Sequence, residues 1–410
     1  MILKKTFFRA SLAVILLHTV FSQEAVNQNG GEKVFRFKYS KGDTYRIFST
    51  VEEDVYINGA YVQHSTIANR IGAEIIDVDE NKTATISSNF MTSEVATEKG
   101  NHLNFGHEDN AVFNVDVYGN YTSDEKDFIP SVRNVPVFPE KEIAPGERWT
   151  GKGIEVYDFR ETFKLENPFT APFDVNYQYI GKEGSLDVFS VSYTTYVETP
   201  GENLKSSLDF YPVSMSTHSE EKIYWDNEKG YFSHYTEDFR IAVKTSTGET
   251  IEYKGKAKAE VSFFPKTSTE ENISNIQEKV DDLGIENVSV IQGEKGLTLS
   301  IEDIKFKADS SVLQESEKIK LKQIAQILMQ YPDNDILITG HTALAGTEKE
   351  RNRLSKERAD AVAEYLEKEM PSGTRKIFTQ GLGASKPVDS NKTEKGKARN
   401  RRVEITIMDK

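Results

Sequence analysis

The spacing of apolar residues changes once along this 410-residue chain, close to residue 266, and the change limits what each part can become. Upstream, the pattern is alternation broken by turns. Phe189, Val191, Tyr193, Thr195 and Val197 share one face of an expected strand, with Ser190, Ser192, Thr194 and Glu198 on the other. Asn58-Gly59 lies between Val55-Tyr56-Ile57 and Tyr61-Val62, which predicts a hairpin whose two central residues both take positive φ. Asp79-Glu80-Asn81, Gly119-Asn120, Asp226 to Gly230 and Ser246 to Gly248 punctuate further runs. Composition agrees: 23 Phe and 18 Tyr against 2 Trp and 6 Met favour strands over helical bundles. Residues 33–265 are therefore expected to form an antiparallel β-rich region, with a candidate subdivision near 136–147. There Val-Pro-Val-Phe-Pro and Ala-Pro-Gly-Glu-Arg-Trp mark a loop and a new strand.

An outer-membrane barrel needs an uninterrupted lipid-facing apolar row. Lys222, Glu237, Asp238, Arg240 and Lys244 interrupt both parities, so a sheet or sandwich with one buried face is expected instead. A curved sheet enclosing a lipid-like ligand is an alternative use of the aromatic rows. His102 and His107 with Glu108 and Asp109 are potential metal ligands. Their spacing fits no zinc pattern, so a solvated loop is expected and no metal or other cofactor is assigned. His64, His218 and His234 stand without a recognisable serine–acid arrangement, and the chain is not read as an enzyme.

Residues 1–22 read as a secretory signal: Lys4, Lys5 and Arg9 precede the apolar run from Ala10 to Phe21, with cleavage expected after Ser22. A polar spacer, 23–32, follows. The chain has no cysteine, which removes disulfides, thiolate nucleophiles, Cys-based metal sites and a lipidated cysteine. Its formal charge of −14 argues against nucleic acid as a partner, because phosphate binding needs a basic surface.

From 266 to 410, with a core at 300–410, the period is helical in places. Ile273, Ile276 and Val280 mark a helix ended by Gly284, and Ile319, Ile324, Ile327 and Leu328 mark another ended before Pro332. Leu354 to Met370 is a third. Short strands are expected at 288–291, 297–301, 336–338 and 403–407. The order implies helices packed on one sheet, and the whole chain is α+β. Arg358 falls between Leu354 and Val362 on the apolar stripe of the third helix. A guanidinium there needs an anion: an internal carboxylate, or a carboxylate-bearing ligand held bidentately.

An ordered set of motifs spans roughly the last 110 residues. It comprises Ile304-Lys-Phe306, Thr339-Gly340-His341-Thr342, Gly346-Thr347, Leu354-Ser355-x-x-Arg358-Ala359, Gly381-Leu-Gly383 with Pro387, and Asn400-Arg401-Arg402-Val403-Glu404-Ile405. This set resembles the OmpA-like carboxyl-terminal domain, the family of the peptidoglycan-associated lipoprotein and the flagellar stator protein MotB. The resemblance implies an exported envelope protein of the periplasm, associated with the outer membrane, that binds peptidoglycan noncovalently through the diaminopimelate of the stem peptide. In the family an Asp after Gly-His-Thr pairs with the ligand ammonium and an Arg pairs with its carboxylate. Arg358 fills the second role, and Ala343 stands where the Asp is expected. Arg351 occupies a position where the family usually has Asn, with Asn352 displaced by one. His341, Thr342 and Phe306 complete the expected pocket, with backbone groups of Phe306–Ala308, and Glu348 or Glu350 are candidate substitutes for the missing Asp. Ala343 also favours an alternative in which peptidoglycan binding is altered or lost and the domain docks an envelope protein.

Overall fold

The computed structural model describes residues 31–94, 102–123, 130–160, 163–165, 167–201, 210–306, 310–371 and 375–409. The expected signal at 1–22, most of the spacer and Ala308 lie outside the described residues. Two compact units result: one holds the chain up to Thr92 together with Glu108–Ser262, the other holds Ser93–His107 together with Phe263–Lys410. The described residues 102–106 thus group with the carboxyl-terminal part and not with the β-rich region. No boundary between units falls at 136–147.

The first unit contains β1 (Thr44–Ile57), β2 (Ala60–Val78) and β3 (Ala84–Glu94), then, after β4 (Leu103–Asn104), β5 (His107–Val115), β6 (Tyr121–Thr122) and β7 (Val132–Arg133). It continues with β8 (Arg148–Tyr157), β9 (Phe169–Glu183), β10 (Leu186–Glu198), β11 (Pro212–Asp226), β12 (Tyr231–Thr245) and β13 (Thr250–Phe264). All but β4 form one 12-stranded sheet in the order β6-β5-β3-β2-β1-β13-β12-β11-β10-β9-β8-β7. The pairings within it are antiparallel, as in β1–β2 and β8–β9. Asn58 at φ 50° and Gly59 at φ 81° make the expected hairpin turn between β1 and β2.

The sheet curls until its two end strands face one another. The Tyr121 amide donates to Asn134 Oδ1 at 2.7 Å, and Arg133 Nη1 donates to Ser123 Oγ at 2.6 Å. Inside the curl, Phe173, Val175, Tyr177, Tyr179, Phe189, Val191 and Tyr193 are buried together. Phe35 and Phe37 fill it from the segment before β1: the Phe35 ring lies 4.9 Å from Phe189, and Phe37 lies 4.9 Å from Trp225. The aromatic rows that offered a ligand-lined surface are thus packed on one another. The outward rows carry Ser216, His218, Glu220 and Lys222 on β11 and Glu252, Lys254, Lys256 and Lys258 on β13. Apolar inside and polar outside is the reverse of a lipid-facing barrel. The expectation of one buried face holds, in a single near-barrel sheet and not in two stacked sheets. Among the described residues no helix is long and apolar enough to cross a membrane.

Among the inward residues that depart from this apolar rule is one facing pair of acids. Glu221 on β11 and Glu237 on β12 are direct cross-strand partners. Ser219 Oγ donates to Glu237 Oε1 at 2.6 Å, and burial raises the Glu221 carboxyl to about 8. Two facing carboxylates repel when both are ionised. The folded state therefore holds a proton that the unfolded chain loses near pH 4.5. The stability due to this proton is complete below pH 4.5 and falls as pH rises through about 8. Thermal unfolding of this unit is expected at lower temperature at about pH 9 than at about pH 6, and Glu221→Gln should remove most of that difference. An equal pH dependence in the variant would show that other groups cause it.

The second unit adds α1 (Glu270–Asp282), β14 (Val288–Gln292), β15 (Gly296–Glu302), α2 (Glu315–Leu328), β16 (Ile336–Gly340), α3 (Glu348–Glu369), β17 (Ile377–Gly381), α4 (Glu394–Asn400) and β18 (Arg402–Met408). Its 6-stranded sheet runs β14-β15-β18-β16-β17-β4. Leu297, Leu299, Ile301, Ile336, Ile338, Val403, Ile405 and Ile407 pack against Leu321, Ile324, Val362 and Leu366 of α2 and α3. The buried residues of α3 are Ser355, Ala359, Val362, Ala363 and Leu366. This corrects the expected stripe: Val362 is buried, but Leu354 and Arg358 are half-buried and form its flank.

Candidate functional site

Helix α3 reaches its place because small residues let two backbones touch. A Cβ on Gly340, the last residue of β16, would stand 2.0 Å from the Ser355 carbonyl oxygen. A Cβ on Gly381, the last residue of β17, would stand 2.3 Å from the Lys356 amide nitrogen. Both strands thus end directly beneath the first half of α3. Gly383 then links three elements. Its carbonyl accepts from the Thr342 amide at 2.8 Å, and its own amide donates to Ser355 Oγ at 2.9 Å. A side chain at Gly383, where φ is 51°, would meet Asn352 Oδ1 at 2.3 Å and Arg351 Cβ at 3.2 Å. Thr342, Arg351 and the Ser355 turn are brought together in this way.

Arg358 stands one turn further along α3. Its guanidinium lies 4.8 Å from the centroid of the Phe306 ring, a cation–π contact that orients the planar group. Phe306 is buried and forms an isolated antiparallel bridge with Leu313. Arg351 does not face this way alone: its Nη1 donates to the Gly346 carbonyl at 2.6 Å, bracing the loop that enters α3. Thr342 and Ala343 are both buried, and the Thr342 hydroxyl has no hydrogen-bond partner among the described residues.

Glu350, one candidate substitute for the family Asp, has another occupation. Its Oε2 accepts from the Thr347 amide at 3.0 Å and from Thr347 Oγ1 at 2.8 Å, while Thr347 Oγ1 accepts from the Glu350 amide. This is a capping box at the start of α3, and the Thr347 backbone and hydroxyl bonds hold the exposed carboxyl below its usual range. Eight residues separate it from Arg358, about 12 Å along the helix. Glu348 is exposed in the same first turn.

His341 turns to the sheet face opposite α3. Its Nε2 is 3.4 Å from Glu404 Oε2, and Arg402 Nε donates to Glu404 Oε1 at 2.7 Å. Burial pushes the imidazole below its usual range, against the pull of Glu404. Glu404 itself falls to about 2, because its bond and charge contacts with His341 and Arg402 outweigh burial. The geometry gives His341 a bracing part behind the site.

The Asn400-Arg401-Arg402 run proves to hold the neighbouring loop. Buried Asn400 accepts the Val388 and Asp389 amides through Oδ1 at 2.8 and 3.0 Å and donates to Asn391 Oδ1 at 3.0 Å. Asn391 Oδ1 in turn accepts the Leu344 amide at 3.0 Å, which fixes the residue after Ala343. Sequence reasoning quoted Asn400 only as part of a motif. Its sequence signal, a lone Asn at the end of α4, does not reveal these bonds.

A family model described as the OmpA family matches residues 305–401. The outer-membrane lipoprotein YfiB of Pseudomonas aeruginosa is 35% identical over 134 residues, which cover 30% of this chain and 78% of that relative. The chain belongs to the OmpA family. Among its other OmpA-type relatives, the probable lipoprotein YiaD of Escherichia coli is 37% identical over 121 residues, 29% of this chain and 55% of the relative. The peptidoglycan-binding protein ArfA of Mycobacterium bovis is 38% identical over 104 residues, 25% of this chain and 32% of that protein. The chain thus spans about half the length of YiaD and about a third of ArfA. The matched segment lies within the second unit and runs from just before α2 to the end of α4, and Arg358, Thr342, Ala343 and Phe306 fall inside it.

Proposed function

We propose that the protein is an envelope protein of the periplasm, on the outer-membrane side, that tethers noncovalently to peptidoglycan through its OmpA-like domain. The observation that carries this reading is the oriented guanidinium of Arg358, held over Phe306 on the flank of α3. A planar fork set by a ring beneath it suits bidentate capture of a carboxylate, here the distal carboxylate of a diaminopimelate-type stem peptide. Thr342 and the backbone from Gly340 shape the wall beside it. No bond is made or broken, so no nucleophile or general base is required.

Co-sedimentation of the full chain with purified sacculi tests this. Wild type is expected to pellet. Arg358→Ala should lose retention by roughly two hundred- to five thousandfold, the equivalent of about 3–5 kcal/mol for one partner removed from a desolvated charge pair. Arg358→Lys should recover only part, because an ammonium offers no matching fork. If wild type stays in solution, the second reading takes over: an OmpA-like fold without peptidoglycan binding that docks an envelope protein. Ala343 is the residue in its favour, and the capping role of Glu350 removes one candidate replacement for the missing acid. The carrier reading of the β-rich unit draws no support from an interior filled by stacked rings.

A further inference from the structure

The OmpA-like sheet ends in a strand that comes from far upstream. β4 pairs in parallel with β17, Leu103 beside Phe378 and Asn104 beside Thr379, and the Phe105 amide donates to the Thr379 carbonyl at 2.9 Å. Phe105 meets Phe378 edge-on at 6.3 Å, with Lys295 Nζ 4.9 Å above the Phe105 ring. Ser93 closes the segment by donating its hydroxyl to the Asn104 carbonyl. This corrects the expectation of a solvated loop at 102–109: His102 is buried, Leu103–Asn104 is a strand, and His107 begins β5.

The contact is short, and its one ionisable side chain decides its strength. His102 lies between two carboxylates of α3, Nε2 3.4 Å from Asp360 Oδ1 and Nδ1 3.4 Å from Glu367 Oε1. The other groups around it are Lys356 of α3, which donates to Asp360, and Thr379 of β17, whose hydroxyl donates to Asp360 Oδ1 at 2.7 Å. An imidazolium donates from both nitrogens and satisfies both acids, whereas neutral imidazole satisfies one at most.

We propose that residues 102–105 are a releasable strap, a sixth strand that docks on the β17 edge while His102 is protonated and lets go when it is neutral. Both states are viable for the domain. With the strap gone, Asp360 keeps Lys356 and Thr379, and Glu367 at the helix surface gains water. The edge of β17 then becomes an open row of backbone groups. Burial pushes the imidazole down, and the bond to Asp360 with the charges of Glu367 and Asp360 outweighs it, so His102 is held above its usual range. Docking is thus fully supported below the free-imidazole value of about 6.5 and weakens as pH rises through the docked value. This inference is independent of what the Arg358 site binds.

Hydrogen exchange of the full chain, corrected for intrinsic rates, tests it at about pH 5.5 and about pH 8.5. The Phe105 amide, which donates to the Thr379 carbonyl, is expected to be protected at the lower pH and to lose protection at the higher, while the amides of β16 stay protected at both. In His102→Gln the Phe105 amide should exchange alike at both values. Equal protection of the wild-type strap at both pH values, or an unchanged pH response in His102→Gln, overturns the proposal. If His102→Gln exposes β16 as well, Glu367→Gln serves instead: release should then occur at lower pH than in wild type, and no shift overturns the proposal.

Discussion

Ala343→Asp is expected to increase retention on diaminopimelate-type peptidoglycan by roughly ten- to two hundredfold, the yield of about 1.5–3 kcal/mol for a charge-assisted hydrogen bond. Ala343 is buried in the loop that Gly383 and Asn391 hold from either side, so a carboxylate there has a fixed position. Without ligand the new carboxyl is buried without a charge partner and lowers domain stability. A ligand ammonium relieves that cost, so the thermal transition of the variant should respond more strongly to soluble stem peptide than that of wild type. Sedimentation and thermal shift give independent readings of the same change. Retention unchanged from wild type would mean that residue 343 does not face the bound diamino acid, and the correspondence with the family Asp would fail.

Gly340→Ala destabilises the OmpA-like domain by about 3 kcal/mol or more, at the upper end for an overpacked core. Here the obstacle is the Ser355 carbonyl oxygen, 2.0 Å from the added carbon, and a helix backbone cannot turn aside as a side chain can. Either α3 lifts off β16 or the strand bends, and both weaken the Leu366 and Val362 contacts below. For a unit of this size the thermal transition should fall by roughly 6–12 °C. Retention on sacculi should fall with it, because the same lift carries Arg358 away from Phe306. A transition within a few degrees of wild type would show that α3 is not seated so closely.

Much of this was legible in residue patterns, for reasons that can be named. Asn58-Gly59 announces its turn because few residue pairs accept positive φ twice. The alternation in β10 is visible because one of its faces meets the core and the other meets water. Strand β17 escaped notice: only Ile377 and Phe378 are apolar in it, and its burial comes from α3 above and β16 beside it. Helix α3 was expected from Leu354, six residues late. The capping box of Thr347 and Glu350 was a readable start signal, hidden by the charged first turns of the helix. Helical spacing and motif together single out Arg358 as a candidate, while Phe306, whose ring lies under its guanidinium, enters only through the family pattern. The His102 clasp left no trace, because Asp360 and Glu367 lie far along the chain and nothing local marks the pairing.

Each unit keeps its last strand inside its sheet: β13 lies between β1 and β12, and β18 lies between β15 and β16. A chain that emerges amino end first therefore cannot finish either sheet until the closing strand has appeared. Before that moment β1 and β16 each lack the neighbour that completes them. The strand order ties the integrity of each unit to its final segment: a chain truncated before β13 or before β18 is left with an open edge on β1 or on β16, deep inside what should be a continuous sheet.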